Sequence, residues 1–256
     1  MPSDSTQKTL LVAVVLCLVC SVIVSTAAVA LKPRQERNRA LDRQKNILEV
    51  AGLLEEGKST RALFEQIDTR IVDLETGAYV GDIDPQRFDQ RQAAKDPERN
   101  VRIPRDEDIA NIKQHARYAK IYIVEENGAM DRVVLPVHGQ GLWSTLYGFV
   151  AVEEDGNTIA GLKFYEHAET PGLGGEIDNP KWRRQWAGKL IYGEADQPRI
   201  EVVRANVDVE KPEAKYQVDG IAGATLTSRG VMNLLRYWFS DQGFGPYLER
   251  LRSEGG

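Results

Sequence analysis

The stretch GQGLWSTLYGFVAVEEDGNTIAGLKFYEHAETPGLGG, residues 139–175, decides how this chain folds. Inside it, YGFVAV (147–152) and TIAGLKFY (158–165) are β-branched and aromatic runs bounded by turn residues. Such runs predict strands, because branched and aromatic side chains pack well on a pleated surface. A glycine-rich loop precedes the pair and another follows it.

Upstream, KIYIV (120–124) and RVVLPV (132–137) repeat the strand pattern. Downstream, Asn179-Pro180 opens a short helix with proline at its first position, carrying Trp182 and Trp186. RIEVVR (199–204) alternates as a half-exposed strand. Val231, Leu234, Leu235, Trp238 and Phe239 recur at helical spacing and predict an amphipathic helix ended by Gly243. Strands clustered before and between a few helices predict an α+β domain with a mixed or antiparallel sheet and flanking helices.

Toward the N-terminus, Ile47, Leu48, Ala51 and Leu54 predict a helix over 38–56, closed off by Gly57. A second helix is expected from an N-cap at Ser59, with Leu63, Phe64, Ile67, Ile71 and Leu74 at helical spacing. Residues 77–110 are polar and rich in Pro, Asp and Arg, which suggests loops. Residues 10–31 are apolar and uncharged. As a helix they would measure roughly 33 Å, enough to cross a bilayer core. A cleaved signal peptide is the competing reading, with Lys8 as its basic region and Ala28-Val29-Ala30 as its cleavage site. The length of the run, and Lys32, Arg34 and Arg37 directly after it, favour a retained single span. The expected organisation is a short tail (1–9), a transmembrane helix (10–31), a helical and loop-rich connecting region (32–118) and a soluble domain (119–256).

The chain has 38 acidic and 33 basic residues and no Lys/Arg-rich run, so no nucleic-acid partner is expected. Cys17 and Cys20 both lie inside the apolar run, which leaves no disulfide framework or zinc site for the soluble part. Their spacing puts them on one helix face, where small residues facing lipid or a partner helix are favoured over half of a shared metal site. His115, His138 and His167 have no metal-ligand spacing, and no metal is expected. Nor is there a Ser/His/Asp constellation to support a secreted hydrolase.

Three segments carry chemistry. Residues 139–148 hold three glycines, with Trp143 and Tyr147 to lie against a planar ring and Ser144 and Thr145 to offer hydroxyls. Residues 167–175 turn at Pro171-Gly172, and Gly172, Gly174 and Gly175 leave backbone amides open. Residues 219–228, DGIAGATLTS, lead into the last amphipathic helix, with Thr227 or Ser228 as its expected cap. A phosphate on Thr225 would then sit at a helix N-terminus, where free N–H groups and the macrodipole favour negative charge. Each segment alone also reads as an ordinary glycine-rich turn.

Jointly, the three resemble the FMN-binding domain family, in which FMN is joined to a threonine by a phosphoester. The family's acceptor run, Asp-x-x-[Ser/Thr]-Gly-Ala-Thr, matches Asp219 to Thr225. The resemblance implies Thr225 as the covalent acceptor, with Asp219, Gly223, Ala224 and Thr227 around it. Glu169, Thr170, Gly172, Leu173 and Gly174 would lie against the isoalloxazine ring, joined by Trp143, Ser144 and Thr145. Ala222 departs from the pattern, where Ser or Thr is usual, and so removes one hydroxyl beside the acceptor. No residue is implied as a catalytic nucleophile or base.

Within that family, PVHGQGLWSTLYGFV (136–150) and the long segment after the anchor look like the C subunit of Na+-translocating NADH:quinone reductases. The G subunit of the related ferredoxin:NAD+ oxidoreductases is the alternative, and a flavin-less scaffold is a third reading. The resemblance implies an electron-carrying FMN protein within a complex of six subunits that oxidises NADH, reduces ubiquinone and exports Na+. It implies a flavin transferase for maturation and a single-pass protein of the cell inner membrane with its domain on the periplasmic side. The basic residues after the span argue for the opposite side. Large domains translocate despite flanking charge, so the periplasmic side is expected.

Overall fold

The computed structural model describes residues 6–55, 57–194 and 196–254. The first helix, α1 (Thr6–Val50), carries the apolar run with Pro33 inside it. Its residues 6–43 are all exposed. An 18-residue window has a mean hydropathy of 2.8 with none of it buried, so α1 is long and apolar enough to cross a membrane. Residues 1–43 form one unit, and a second compact unit runs from Gln44 to Gly256.

The helix expected over 38–56 is the end of α1 and stops at Val50. Gly52 adopts a φ of 72°. Its amide donates to the Glu49 carbonyl at 3.1 Å, and the Leu53 amide donates to the Leu48 carbonyl at 2.8 Å. This paired closure satisfies the last helical carbonyls, and a left-handed glycine is its usual pivot. Leu54 therefore falls outside the helix and is exposed.

The second expected helix is also cut short. α2 (Thr60–Phe64) is one turn long, and Ser59 makes no side-chain capping bond. Ile71 instead lies in a strand, β1 (Asp68–Asp73), and Leu74 follows it. After β1 come β2 (Tyr79–Val80), α3 (Gln90–Ala93), β3 (Asn100–Arg102) and β4 (Gln114–Ala116), the last two forming a small antiparallel pair. Then β5 (Tyr118–Glu126), β6 (Ala129–Gln140), β7 (Thr145–Glu153) and β8 (Thr158–Glu166) fall on the four expected runs. β1 pairs antiparallel with β5 from Asp68–Ile123 to Asp73–Tyr118. That pairing buries Ile71, Val72 and Leu74 and overrides the helical spacing.

After β8, α4 (Pro180–Arg183) is capped by the Asn179 side chain, which accepts from the Lys181 amide. β9 (Lys189–Leu190) completes a seven-stranded antiparallel sheet of order β2-β1-β5-β6-β7-β8-β9. The run 199–204 contributes only β10 (Glu201–Val202), parallel to β11 (Gln217–Val218). α5 (Thr225–Trp238) ends at its C-cap Phe239, before Gly243. The final helix, α6 (Gly245–Glu254), has no counterpart in the sequence expectations.

The sheet is covered on both faces, which explains why its strands read as nearly continuous apolar runs. Ile121, Ile123, Val133, Leu135, Val150 and Val152 join one core with Val231, Leu234 and Trp238 of α5 and Leu248 of α6. The alternate residues Tyr122, Val124, Val134, Phe149 and Ala151 pack with Ile47, Leu48, Val50 and Ala51 from the end of α1. Burying one such aliphatic or aromatic side chain contributes about 1.5–3 kcal/mol. Glu49 adds a polar lock, accepting from Arg183 Nη1 of α4 at 2.9 Å and from Lys163 Nζ of β8. Burial alone would raise its pKa, but the bonds from Lys163 and Arg183 hold it below the ordinary carboxylate value.

Candidate functional site

The three glycine-bearing segments meet at one carboxylate. Glu169 is 5% exposed. Its Oε1 accepts from the Trp143 amide at 2.9 Å, and its Oε2 accepts from Thr227 Oγ1 at 2.6 Å. One side chain therefore ties the β6–β7 turn, the loop after β8 and the first turn of α5. The glycines are what let the backbones close on it. A Cβ at Gly141 would stand 2.6 Å from Glu169 Oε1, and one at Gly174 would stand 2.7 Å from Oε2 and 2.5 Å from Thr227 Oγ1. Ser144 ties the first two segments again, its Oγ accepting from the Ala168 amide at 2.7 Å.

The loop after β8 is shaped from within. The Thr170 carbonyl accepts from the Leu173 and Gly175 amides at 3.1 and 2.9 Å, and Gly172 adopts a φ of 76°. The Glu169 amide donates to His167 Nδ1 at 3.2 Å, so Nε2 carries the proton toward Asp178 Oδ2 at 2.9 Å. Thr145 opens β7 opposite Gln140 and is partly buried.

Thr225 is the first residue of α5, after an N-cap at Ala224 that provides no side-chain bond. The expected capping by Thr227 or Ser228 is therefore not what the structure shows. Both lie inside the helix and are buried, Thr227 fully and Ser228 with its Oγ accepting from the Ile221 amide at 3.2 Å. The helix begins at Thr225, ahead of both, and so leaves neither in a capping position. The first bond closing onto α5 runs from the Ser228 amide to the Ala224 carbonyl at 2.9 Å. Helix geometry leaves the first-turn amides, those of residues 225–227, without intrahelical partners. Thr225 itself is exposed.

Gly223 precedes this turn with a φ of 74°, and a Cβ there would meet Leu173 Cδ2 at 3.0 Å. Leu173 thus reaches over the acceptor run from the neighbouring loop. Each segment tied by Glu169 exposes a large apolar side chain: Trp143 at 68%, Leu173 at 46% and Leu226 at 54%, with Leu142 beside Trp143. Exposed apolar groups beside free helix amides suit a ligand with a flat apolar body and an anionic end.

Two residues do not face this surface. Asp219 turns its carboxylate to the Val207 amide at 2.7 Å, while its carbonyl accepts from Trp182 Nε1 at 2.8 Å. It fixes the base of the acceptor run from behind. Tyr147 is already engaged, with the Arg91 guanidinium 3.6 Å over its ring and His138 stacked at 5.5 Å. Arg91 therefore already occupies a face of that ring. Arg91 had no sequence signal, because its partners Tyr147 and Glu166 lie far along the chain. Ala222, at the position of the missing hydroxyl, is exposed. Among the described residues, no group of three His, Cys, Asp or Glu stands together to hold a metal.

Residues 141–240 match the FMN-binding domain family. The C subunit of the Na(+)-translocating NADH-quinone reductase of Pseudomonas aeruginosa is 51% identical over 97% of this chain and 97% of its own length. That of Vibrio alginolyticus is 48% identical over 98% of this chain and 96% of its own. Among solved structures, Shewanella oneidensis NqrC superposes with a TM-score of 0.75 at 35% identity, covering 83% of this chain and 97% of that one. The C subunit from Parabacteroides distasonis superposes with a TM-score of 0.64 at 26% identity, covering 85% and 96%. Nearly full-length identity of this order places all three segments in one lineage, and the chain belongs to the NqrC family, the C subunits of Na(+)-translocating NADH-quinone reductases.

Proposed function

We infer that this chain is a membrane-anchored electron-transfer protein of the reductase, with FMN in phosphoester linkage on Thr225. The observation that carries the reading is Thr225, exposed at the first position of α5 two residues before the Thr227 that Glu169 holds. The residues present fit the group. Gly223 and Ala224 keep the approach small, the first-turn amides of α5 suit a phosphate, and Trp143, Leu173 and Leu226 offer apolar surface to a ring. Thr227 is unsuited as acceptor, because its hydroxyl is buried and committed to Glu169.

The linkage would form by bonding of Thr225 Oγ to the phosphorus of a flavin nucleotide bearing a phosphoanhydride. The anhydride bond would break, the remaining nucleotide would leave, and the hydroxyl proton would pass to a base on the flavin transferase. Bound there, FMN supplies reversible uptake and release of electrons. The chain's own part would be to hold it: the first-turn amides of α5 would bind the phosphate, the two loops would hold the ring, and α1 would anchor the chain. Its partners are the other members of a complex of six subunits in the cell inner membrane. That complex oxidises NADH, reduces ubiquinone and exports Na+, with this domain on the periplasmic side.

Denaturing gel electrophoresis under ultraviolet light tests the linkage. A fluorescent band in the wild type and a dark band in Thr225→Val are expected. A dark wild-type band would point to a flavin-less scaffold. Protease treatment of intact spheroplasts tests the placement, and a fully protected domain would contradict the periplasmic side.

A further inference from the structure

Both oxygens of Glu169 accept hydrogen bonds, from the Trp143 amide and the Thr227 hydroxyl, and the side chain is almost sealed from solvent. Among the described residues, no lysine or arginine forms an ion pair with it. His167 bonds to the backbone amide of Glu169 and not to its carboxylate. Asp178 beyond His167 is a further acidic group, but its side chain is 55% exposed and open to solvent screening. Glu169 is therefore a buried, hydrogen-bonded carboxylate without a cationic partner, directly behind the segments that expose Trp143, Leu173 and Leu226.

We propose that Glu169 tunes the bound flavin, its fixed negative charge behind the site holding the midpoint potential down. The proposal rests on the reading that FMN is carried at Thr225. At neutral pH, two-electron reduction of FMN takes up two electrons and one proton and leaves one added negative charge on the ring. A buried carboxylate opposes that added charge, and a low local dielectric strengthens the opposition. The hydrogen bonds keep the carboxylate fixed, so it is also a positioning residue for the loop and for α5.

Charge and clamp separate by substitution. Glu169→Gln keeps both contacts in reach: the amide oxygen accepts from Trp143, and its NH2 donates to a reoriented Thr227 hydroxyl. It removes only the charge. Thr227→Val keeps the charge and removes one clamp bond. The full-length protein with its covalent FMN is titrated with dithionite, which supplies the electrons, while flavin absorbance and the mass of the Thr225 peptide are followed. The expected result is a midpoint potential in Glu169→Gln above the wild type, with Thr227→Val at or below it. An unchanged midpoint in flavinylated Glu169→Gln overturns the proposal. So does a rise in Thr227→Val, which would assign the effect to the clamp. Should Glu169→Gln not accumulate, Glu169→Met is titrated in its place, with the same rise expected and an unchanged midpoint again overturning the proposal. A wild type without FMN on Thr225 would instead overturn the reading on which the proposal rests.

Discussion

Thr225 and Thr227 are two residues apart in α5, yet Thr225 is exposed while Thr227 is buried and bonded to Glu169 at 2.6 Å. Thr227→Val is expected to leave flavin attached and to lower stability by about 1–3 kcal/mol, since a buried charged acceptor loses a donor. Urea denaturation with in-gel fluorescence on the same sample checks both halves. Thr225 was singled out by the resemblance of residues 219–225 to the family's acceptor run, since the small residues around it read equally well as an ordinary turn. The sequence could not assign the partner of Thr227, because Glu169 lies 58 residues away and the bond exists only once the sheet and α5 have packed. Asp219 illustrates the same limit. Its place in the acceptor run marks it as important, but the Val207 amide that it holds belongs to a loop with no motif.

At the scale of elements, β5 to β8 were legible because alternate residues feed two cores, and both periodicity and composition point to strand. β1 was not. Leu63, Phe64, Ile67, Ile71 and Leu74 satisfy a helical stripe, and only pairing with β5 ends α2 at Phe64. The end of α1 was displaced for a local reason, the left-handed turn at Gly52. α6 was missed because its apolar contacts, Tyr247, Leu248 and Leu251, are few and follow a glycine-rich break. The Glu49 lock between α1, β8 and α4 is likewise a product of packing. Glu49→Ala would leave Lys163 and Arg183, each 19% exposed, without their shared acceptor. A loss of about 1–3 kcal/mol is expected, less than for a fully buried pair because Glu49 is 30% exposed. A lowered thermal midpoint relieved by Glu49→Gln would agree, whereas an unchanged midpoint would show that Glu49 does not lock these elements.

For the whole molecule, the division at Gln44 sets what can be cut away. A chain beginning at Gln44 keeps Ile47, Leu48, Val50 and Ala51 on the sheet and is expected to be soluble and folded. One beginning at Leu53 strips that face and is expected to aggregate, as size-exclusion chromatography would register. Acid sensitivity is a second global property. Burial pushes His138 down to about 4, with His115 and Arg91 adding to the effect. An unfolded histidine titrates near ~6.5, so the unfolded chain binds the extra proton between these values. The contribution of His138 is whole above ~6.5 and is lost as pH falls toward the folded value, on the order of 3 kcal/mol at most. His138→Gln should flatten the fall of urea stability with acid over that window, and an unchanged slope would exclude His138 as its source. Tryptic peptide mass spectrometry identifies the acceptor residue, because cleavage after Lys215 and Arg229 isolates residues 216–229. On protein purified from its native membrane, that peptide is expected to carry the mass of FMN less water, with fragment ions placing it on Thr225. An unmodified peptide, or the same increment on Thr227, would contradict that assignment.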